Sequence, residues 1–123
     1  MLYRLFFLLL PFFVFSQEYE IKSSSVEIDT DSNKLIYTGD VVFSSDDVTF
    51  EADRLVILQE NEEFIAVGTP IKLTYIENGE TILGVSSNLK MISGIIELYN
   101  DAQLIRSDTK IISESIKINL NND

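Results

Sequence analysis

The side chains best suited to acid–base or metal chemistry in this sequence are carboxylates. The 123 residues include 20 Asp or Glu and 9 Lys or Arg, giving a net charge of −11, and there is no Cys, His or Trp. Disulfides, thiolate or imidazole metal sites, and His- or Cys-based catalysis are therefore excluded. Nucleic-acid binding is also disfavoured, because phosphate contacts need clustered Lys and Arg.

Two adjacent carboxylate pairs, Asp46-Asp47 and Glu62-Glu63, carry the groups that glycoside hydrolases use as acid and base. Adjacent residues on a strand point to opposite faces, and adjacent carboxylates in a turn are usually hydrated. No Gly-rich phosphate cradle or nucleophile elbow is present. We therefore predict that the protein is not an enzyme, and a carbohydrate-active enzyme is the weakest alternative.

The stretch Asp29–Asn33 imitates the D-x-D-x-N start of a calcium-binding loop. Lys34 stands where such a loop needs Gly, and Asp40 stands where it needs Glu. The flanking segments also read as strands and not as helices. We expect a solvated turn, with no metal and no other cofactor.

The first 16 residues have the features of a secretory signal peptide. Arg4 precedes Leu5–Phe15, an unbroken apolar run of 11 residues. A membrane span needs about 20 apolar residues, whereas the apolar core of a signal peptide has about 7–15. Val14 and Ser16 then fit a cleavage point before Gln17.

The sequence thus predicts a signal peptide over 1–16 and one exported domain over 17–123, located in the periplasm or outside the cell. Without the signal, 8 basic and 20 acidic residues remain, a net charge of −12. An uncleaved N-terminal anchor is the alternative interpretation of the first segment.

The exported part reads as an all-β domain. Short runs of Val, Ile, Leu, Phe and Tyr alternate with turn residues about once every eight residues, which is typical of an antiparallel sandwich, barrel or jelly roll. Asn78-Gly79 is a type I′ hairpin signal, and Gly39-Asp40 is a softer turn signal. Strands are predicted near 19–22, 25–29, 34–38, 40–45, 47–52, 54–59, 63–67, 70–77, 80–86, 88–92, 95–99, 101–106, 108–113 and 115–120. Only Gln59–Val67 offers a possible helix, and that segment is too short to be predicted as one.

Alternation with period two assigns side chains to one face of each strand. Val48, Phe50 and Ala52 share a face, for example, while Thr49 and Glu51 point the other way. Keeping both Ala52 and Leu55 inside requires a change of phase, so a bulge is predicted at Asp53-Arg54.

A weak internal repeat appears at an offset of 61 residues. Gly39–Phe43 aligns with Asn100–Leu104, and the turn, apolar and acidic classes continue to coincide along the following strand. Stacked copies of one strand–turn–strand unit would build a quasi-one-dimensional stack of sheet.

Three motifs together resemble the LptA/OstA-like family of lipopolysaccharide-transport proteins. They are T-G-D-V-x-F at Thr38–Phe43, F-x-A-D-x-L-x-I at Phe50–Ile57, and Gly68–Leu73 followed by the Asn78-Gly79 hairpin. The later Asn100–Leu104 copy fits the same pattern. The resemblance covers roughly residues 25–120.

The resemblance implies an incompletely closed, twisted antiparallel β-jelly roll, described as a folded taco. Its apolar groove would hold the acyl chains of lipopolysaccharide, and its partners would be homologous jelly-roll domains of the inner-membrane anchored component and of the outer-membrane translocon. A head-to-tail homo-oligomer is also implied. The sequence departs from the family in being short and strongly acidic, which disfavours phosphate binding and leaves affinity to the acyl chains.

Thirteen apolar residues are predicted to face the groove, with Phe50 and Leu73 preferred. They are Phe43, Phe50, Leu55, Ile57, Phe64, Leu73, Tyr75, Leu89, Met91, Leu98, Leu104, Ile111 and Ile116. Edge strands that join neighbouring domains are predicted within 18–29 and 113–120, at Ile21, Val26, Ile28, Ile116, Ile118 and Leu120. The alternatives are a structural or adhesive envelope protein with a sealed core, and the membrane-anchored partner of the same bridge.

Overall fold

A computed structural model describes residues 19–120, and all of its regular structure is β-strand. The eight strands are β1 (Tyr19–Lys22), β2 (Ser25–Asp29), β3 (Lys34–Ser45), β4 (Val48–Leu58), β5 (Glu63–Glu77), β6 (Glu80–Ile92), β7 (Ile95–Arg106) and β8 (Thr109–Asn119). Within this part of the chain no helix is long and apolar enough to cross a membrane.

The strands form a single antiparallel sheet in the order β1-β3-β4-β5-β6-β7-β8. β2 also pairs with β3, along the half of β3 that β1 leaves uncovered. β1 and β2 thus form one edge strand that is interrupted at Ser23-Ser24. The Ser24 N–H donates to the Gly39 carbonyl across 2.8 Å, which fastens this interruption to β3.

A row of irregularities crosses the sheet near the middle of its strands. The pairing register shifts at Thr38/Val41, Glu51/Arg54, Val67/Ile71, Val85/Asn88 and Tyr99/Ala102. Such bulges bend a strand and re-aim its side chains. The phase change predicted at Asp53-Arg54 is confirmed, because Ala52 and Leu55 are both buried on either side of it.

The two copies of the internal repeat share this backbone irregularity. Gly39 and Asp40 have φ angles of 87° and 47°, and Asn100 and Asp101 have 68° and 63°. Residues with positive φ are uncommon outside Gly and Asn. The same pair of consecutive positive φ angles therefore recurs at the bulges of β3 and β7. The turn and acidic classes shared by the two copies therefore mark a shared bend.

The bulges divide the sheet into two halves that face each other. Wall 1 contains β2 and residues 34–38, 54–58, 63–67, 88–92, 95–99 and 115–119, whereas wall 2 contains β1 and residues 41–45, 48–51, 71–77, 80–85, 102–106 and 109–113. The ring of Phe43 from wall 2 meets the ring of Phe64 from wall 1 edge-on, with centroids 5.6 Å apart. The sheet is therefore folded over on itself.

The core lies between the walls and follows the predicted alternation. Val48, Phe50 and Ala52 are buried, while Glu51 is exposed. Buried apolar side chains from both walls form one continuous cluster. Ser86 is a buried polar residue in this interior, and its hydroxyl donates to the Asn88 carbonyl across 2.8 Å.

Several local predictions were wrong in the same way. Gly39-Asp40 is a bulge inside one long strand and not a turn. Likewise, the two strands predicted on either side of each bulge are one continuous strand. Residues 59–62 form a turn, and the strand predicted near 63–67 is confirmed as the start of β5. The Asn78-Gly79 hairpin is confirmed, with φ angles of 52° and 78°.

The sheet does not close into a barrel. Among β1–β8, the β1–β2 edge pairs only with β3, and β8 pairs only with β7. The predicted all-β, antiparallel and incompletely closed architecture is confirmed.

Candidate functional site

A cavity of about 520 Å³ opens on the side of the fold where the turns of the two walls come together. We call this side the seam and the opening the seam cavity. Turn residues of both walls border it, with Asp46 and Asp47 from wall 2 and Glu62 from wall 1. Its complete lining is Tyr19, Phe43, Ser45, Asp46, Asp47, Val48, Glu62, Phe64, Met91, Ile92, Ser93, Gly94 and Leu120.

Aromatic rings form the apolar floor of the seam cavity. Tyr19 stacks on Phe43 with ring centroids 5.3 Å apart, and meets Phe64 edge-on at 5.6 Å. Phe43 in turn stacks on Phe50 at 4.9 Å, deeper in the core. Such pairs favour these offset and edge-on geometries, so the cluster holds both walls together at the seam.

The border of the seam cavity is polar and acidic. The Ser45 hydroxyl donates to the Val48 carbonyl across 3.1 Å and accepts from the Val48 N–H across 3.3 Å, which shapes the turn that carries Asp46 and Asp47. Burial raises the pKa of Tyr19, and the nearby Tyr37 and Glu62 raise it further. The cavity thus combines an apolar interior with a negatively charged mouth.

Twelve of the thirteen predicted groove residues belong to one core cluster, and most of them lie in its closed part. Ten are buried, including Phe50 and Leu73 at 0% and 1% exposure. Phe43, Phe64 and Met91 line the seam cavity. Met91 and Ile116 are partly buried against the core. Ile111 lies at the β8 edge with 40% of its surface exposed.

The predicted edge residues differ in their exposure. Val26 and Ile28 pair with inward-facing residues of β3, yet 52% and 66% of their surfaces are exposed at the open edge. Ile21 and Ile116 are half-buried, and Ile118 is buried against the core. Leu120 packs against the core and lines the seam cavity.

Asp46, Asp47 and Glu62 lie in turns, as expected for hydrated groups, whereas Glu63 lies in a strand. Glu63 begins β5 and lies 3.5 Å from the Lys90 ammonium group. The Asp29 carboxylate accepts a hydrogen bond from the Ser32 N–H across 3.2 Å, and hydrogen bonding with Ser32 lowers the pKa of Asp29. Within residues 19–120 no group of three His, Cys, Asp or Glu residues could hold a metal ion.

Sequence reasoning missed Tyr19, Ile92 and Leu120 as residues of the cavity. Tyr19 and Ile21 alternate along the short first strand, and that alternation was the available signal for an inward-facing ring. The signal peptide predicted over 1–16 lies outside the described residues.

The chain is similar to a known family of proteins. The family model described as "LptA/(LptD N-terminal domain) LPS transport protein" matches residues 20–123. The chain belongs to this family. No curated protein matches the sequence.

The family fold is also seen in a solved structure. The chain is similar to LptH from Pseudomonas aeruginosa, which is described as the LptA-homologous periplasmic component of the lipopolysaccharide transport device. The TM-score is 0.77 at 16% sequence identity, over 85% of this chain and 77% of the LptH chain. The predicted LptA-like jelly-roll, or taco, fold is therefore confirmed.

Proposed function

We propose that this LptA-family protein is a non-catalytic periplasmic component of lipopolysaccharide transport. It takes acyl chains of lipopolysaccharide through the seam cavity and shields them between the two walls. The sugars and other head-group atoms stay outside the seam. Membership of the family supports this role, as does the likeness of the fold to a periplasmic transport component.

The observation that carries the proposal is the seam cavity in a sheet that is not closed. Its volume of about 520 Å³ falls in the range of about 300–1,000 Å³ that is usual for ligand pockets. Each methylene that leaves water contributes about 0.8 kcal/mol, so ten methylenes offer about 8 kcal/mol before ordering costs. Apolar burial alone is therefore a sufficient source of affinity.

Uptake of a whole acyl chain requires the walls to separate. Phe50, Leu73 and Leu89 are almost completely buried, so they become accessible only when the interior opens. No strand bridges the outer sides of the β1–β2 edge and β8 within residues 19–120. The walls are thus joined by the bent strands at the bulges and by side-chain packing at the seam, and packing can exchange for ligand contacts.

The two open edges are the proposed sites of assembly. Edge strands present backbone N–H and C=O groups that can pair with another chain. Repeated pairing of one edge with the opposite edge of the next molecule gives an open filament and not a ring. The partners are other copies, the inner-membrane anchored component and the outer-membrane translocon, with their homologous jelly-roll domains.

Site-specific photo-crosslinking in cells that make lipopolysaccharide tests the lipid-carrying role. A photoreactive residue at Phe64, which lines the seam cavity, should crosslink to lipid A. The matched control is its neighbour Ile65, on the other side of β5, which should not. Crosslinks from position 64 that reach only side chains of the same protein would contradict the proposal.

The tight central packing favours a second candidate function, a structural envelope protein with a sealed core. The buried side chains Phe50, Leu55 and Leu89 are each 0% exposed. A photoreactive residue at position 50 separates the two functions, because a carrier that opens should also yield lipid crosslinks there. A sealed core should give none at either position 50 or position 64.

A further inference from the structure

The charged side chains in the turns that border the seam are all acidic. The six turns between strands β2 and β8 contain six carboxylates and no Lys or Arg. These carboxylates belong to Asp31, Asp46, Asp47, Glu60, Glu62 and Asp108. Three of them, Asp46, Asp47 and Glu62, lie directly on the seam cavity.

Two cations, Arg106 and Lys34, stand at the ends of strands beside these turns, and neither lines the seam cavity. Arg106 ends β7, and its guanidinium lies 4.0 Å from the Glu80 carboxylate, so its charge is already matched. Lys34 begins β3 and is half-buried beside the turn that holds Asp31. Among the described residues, the lining of the seam cavity itself includes no Lys or Arg.

A head group that sits at this mouth therefore meets negative charge on both walls. A phosphate placed there would be repelled, whereas an ammonium group would be attracted and could also lie against the face of Tyr19. The effect is strongest within about 8 Å at physiological salt, which covers a head group held at the mouth by its own acyl chain.

We propose that the seam cavity selects amphiphiles whose head group carries ammonium groups over amphiphiles whose head group carries exposed phosphates. This inference rests on the proposed function, because the apolar tail must first enter the cavity. It names the ligand class: an acylated lipid that is cationic, or whose phosphates are capped by amines. The charge of the border, which is complementary to such a head group, carries the argument.

Three amphiphiles with the same tail test the selection: dodecylammonium, dodecyl phosphate and the neutral dodecyl maltoside, each kept below its micelle concentration. Isothermal titration calorimetry at low ionic strength should give a dissociation constant at least about tenfold lower for dodecylammonium than for dodecyl phosphate, a difference of about 1.4 kcal/mol. At about 1 M salt, where screening acts over about 3 Å, the difference should shrink markedly.

Two triple variants with the same change in charge locate the effect. Asp46→Asn/Asp47→Asn/Glu62→Gln removes the carboxylates of the cavity border and should abolish the preference without weakening dodecyl maltoside. Glu27→Gln/Glu51→Gln/Glu97→Gln removes three carboxylates that alternate with inward-facing residues and so lie on the outer faces, and should keep the preference.

The outcomes separate this inference from the function on which it rests. Equal binding of the charged compounds, tighter binding of dodecyl phosphate, or a preference that survives in the border variant would overturn the selection while leaving lipid binding intact. If none of the three compounds binds, the proposed function fails as well. Tail-dependent binding is checked with butylammonium, which should bind far more weakly than dodecylammonium.

Discussion

The ring of Tyr19 stacks on the ring of Phe43, with centroids 5.3 Å apart and planes inclined by 28°. Tyr19 belongs to β1, a strand of four residues at the edge of the sheet. Its ring also meets Phe64 of the opposite wall. This short edge strand therefore covers one side of the seam cavity and links the two walls.

Replacing Tyr19 with Ala should destabilise the fold and widen the seam cavity. Aromatic pairs contribute about 0.5–1.5 kcal/mol each beyond their buried area, and Tyr19 makes two. We expect urea unfolding to show a loss of about 1–3 kcal/mol, together with stronger binding of dodecyl maltoside. Tyr19→Phe keeps the ring and is the control. An Ala variant as stable as the parent would show that the ring contacts contribute nothing.

The phenol of Tyr19 should titrate above its ordinary value near 10. Burial raises its pKa, and Tyr37 and Glu62 raise it further. Because the folded state holds this proton more tightly, the stabilisation from Tyr19 is complete below about pH 10 and is lost as the pH rises through the folded pKa. The measurement is the difference between ultraviolet titrations of the parent protein and of Tyr19→Phe, which isolates this phenol among the five tyrosines of the chain.

Removing a neighbouring charge identifies the cause of this shift. Glu62→Gln should lower the pKa of Tyr19 towards its ordinary value, because one anion near the phenolate is gone. Glu97→Gln, on the outer face of β7, is the control and should leave the titration unchanged. A Tyr19 phenol that titrates below 10 in the parent protein would contradict both the burial and the charge arguments.

The sequence alone was sufficient to predict the strands and the residues that face inward. It was not sufficient to predict how closely the two walls approach each other. Alternation places Phe50 and Leu73 on one face, and this holds because period two is a local property of a strand. Whether such a face is a groove or a core depends on how closely the opposite wall approaches, which no local pattern encodes. Gly39-Asp40 read as a turn for a related reason, because a bulge and a turn use the same positive φ angles.

Gly84 allows Leu98 to pack against β6. A Cβ atom at position 84 would lie 2.8 Å from Leu98 Cδ1 and 3.5 Å from Leu73 Cδ2. Both leucines are buried, so Gly84→Ala should cost about 1–3 kcal/mol through overpacking. Val85→Ala, on the outer face of the same strand, should cost less.

A double-mutant cycle tests this explanation of Gly84. Leu98→Ala alone removes buried methyl groups and should cost about 2–5 kcal/mol. In the double variant Gly84→Ala/Leu98→Ala the crowded atom is gone, so the loss should be smaller than the sum of the single losses. Strictly additive losses in urea unfolding would show that the cost at position 84 has another origin.

Gly39 should stabilise the pairing of the β1–β2 edge with β3. Its φ angle is 87°, and a Cβ atom there would lie 2.8 Å from both Cβ and Oγ of Ser24. Gly39→Ala therefore strains the backbone and displaces the residue whose N–H bonds to the Gly39 carbonyl. We expect the free energy of unfolding to fall by about 1–3 kcal/mol. Hydrogen exchange should accelerate more in β1 and β2 than in the central strands β5 and β6.

Asp40→Gly is the matched control for this bulge. Asp40 already has a positive φ angle of 47°, so Gly should be tolerated or should stabilise by up to about 1 kcal/mol. Uniform acceleration of exchange across all strands in Gly39→Ala would contradict a role restricted to the edge.

Strand directions predict how two copies would join. β8 runs from wall 2 to wall 1. The β1–β2 edge runs in the same direction, because this edge and β8 are the first and the seventh row of an antiparallel sheet, in which alternate rows are parallel to each other. Stacking one copy on the next with matching walls in line therefore makes a parallel joint. Val26 then lies beside Ile116 of the next copy, since both face the interior of wall 1.

Introduced cysteines distinguish this joint from an antiparallel one. The chain has no Cys, so the introduced residues provide the only thiols. Under mild oxidation Val26→Cys/Ile116→Cys should give a ladder of disulfide-linked oligomers, because a disulfide needs Cα atoms about 4.4–6.8 Å apart. Val26→Cys/Ile111→Cys is the control, because Ile111 lies on wall 2 and would approach Val26 only in an antiparallel joint. A ladder from the control pair alone would mean that the joint is antiparallel and that the interiors of successive copies do not align wall to wall.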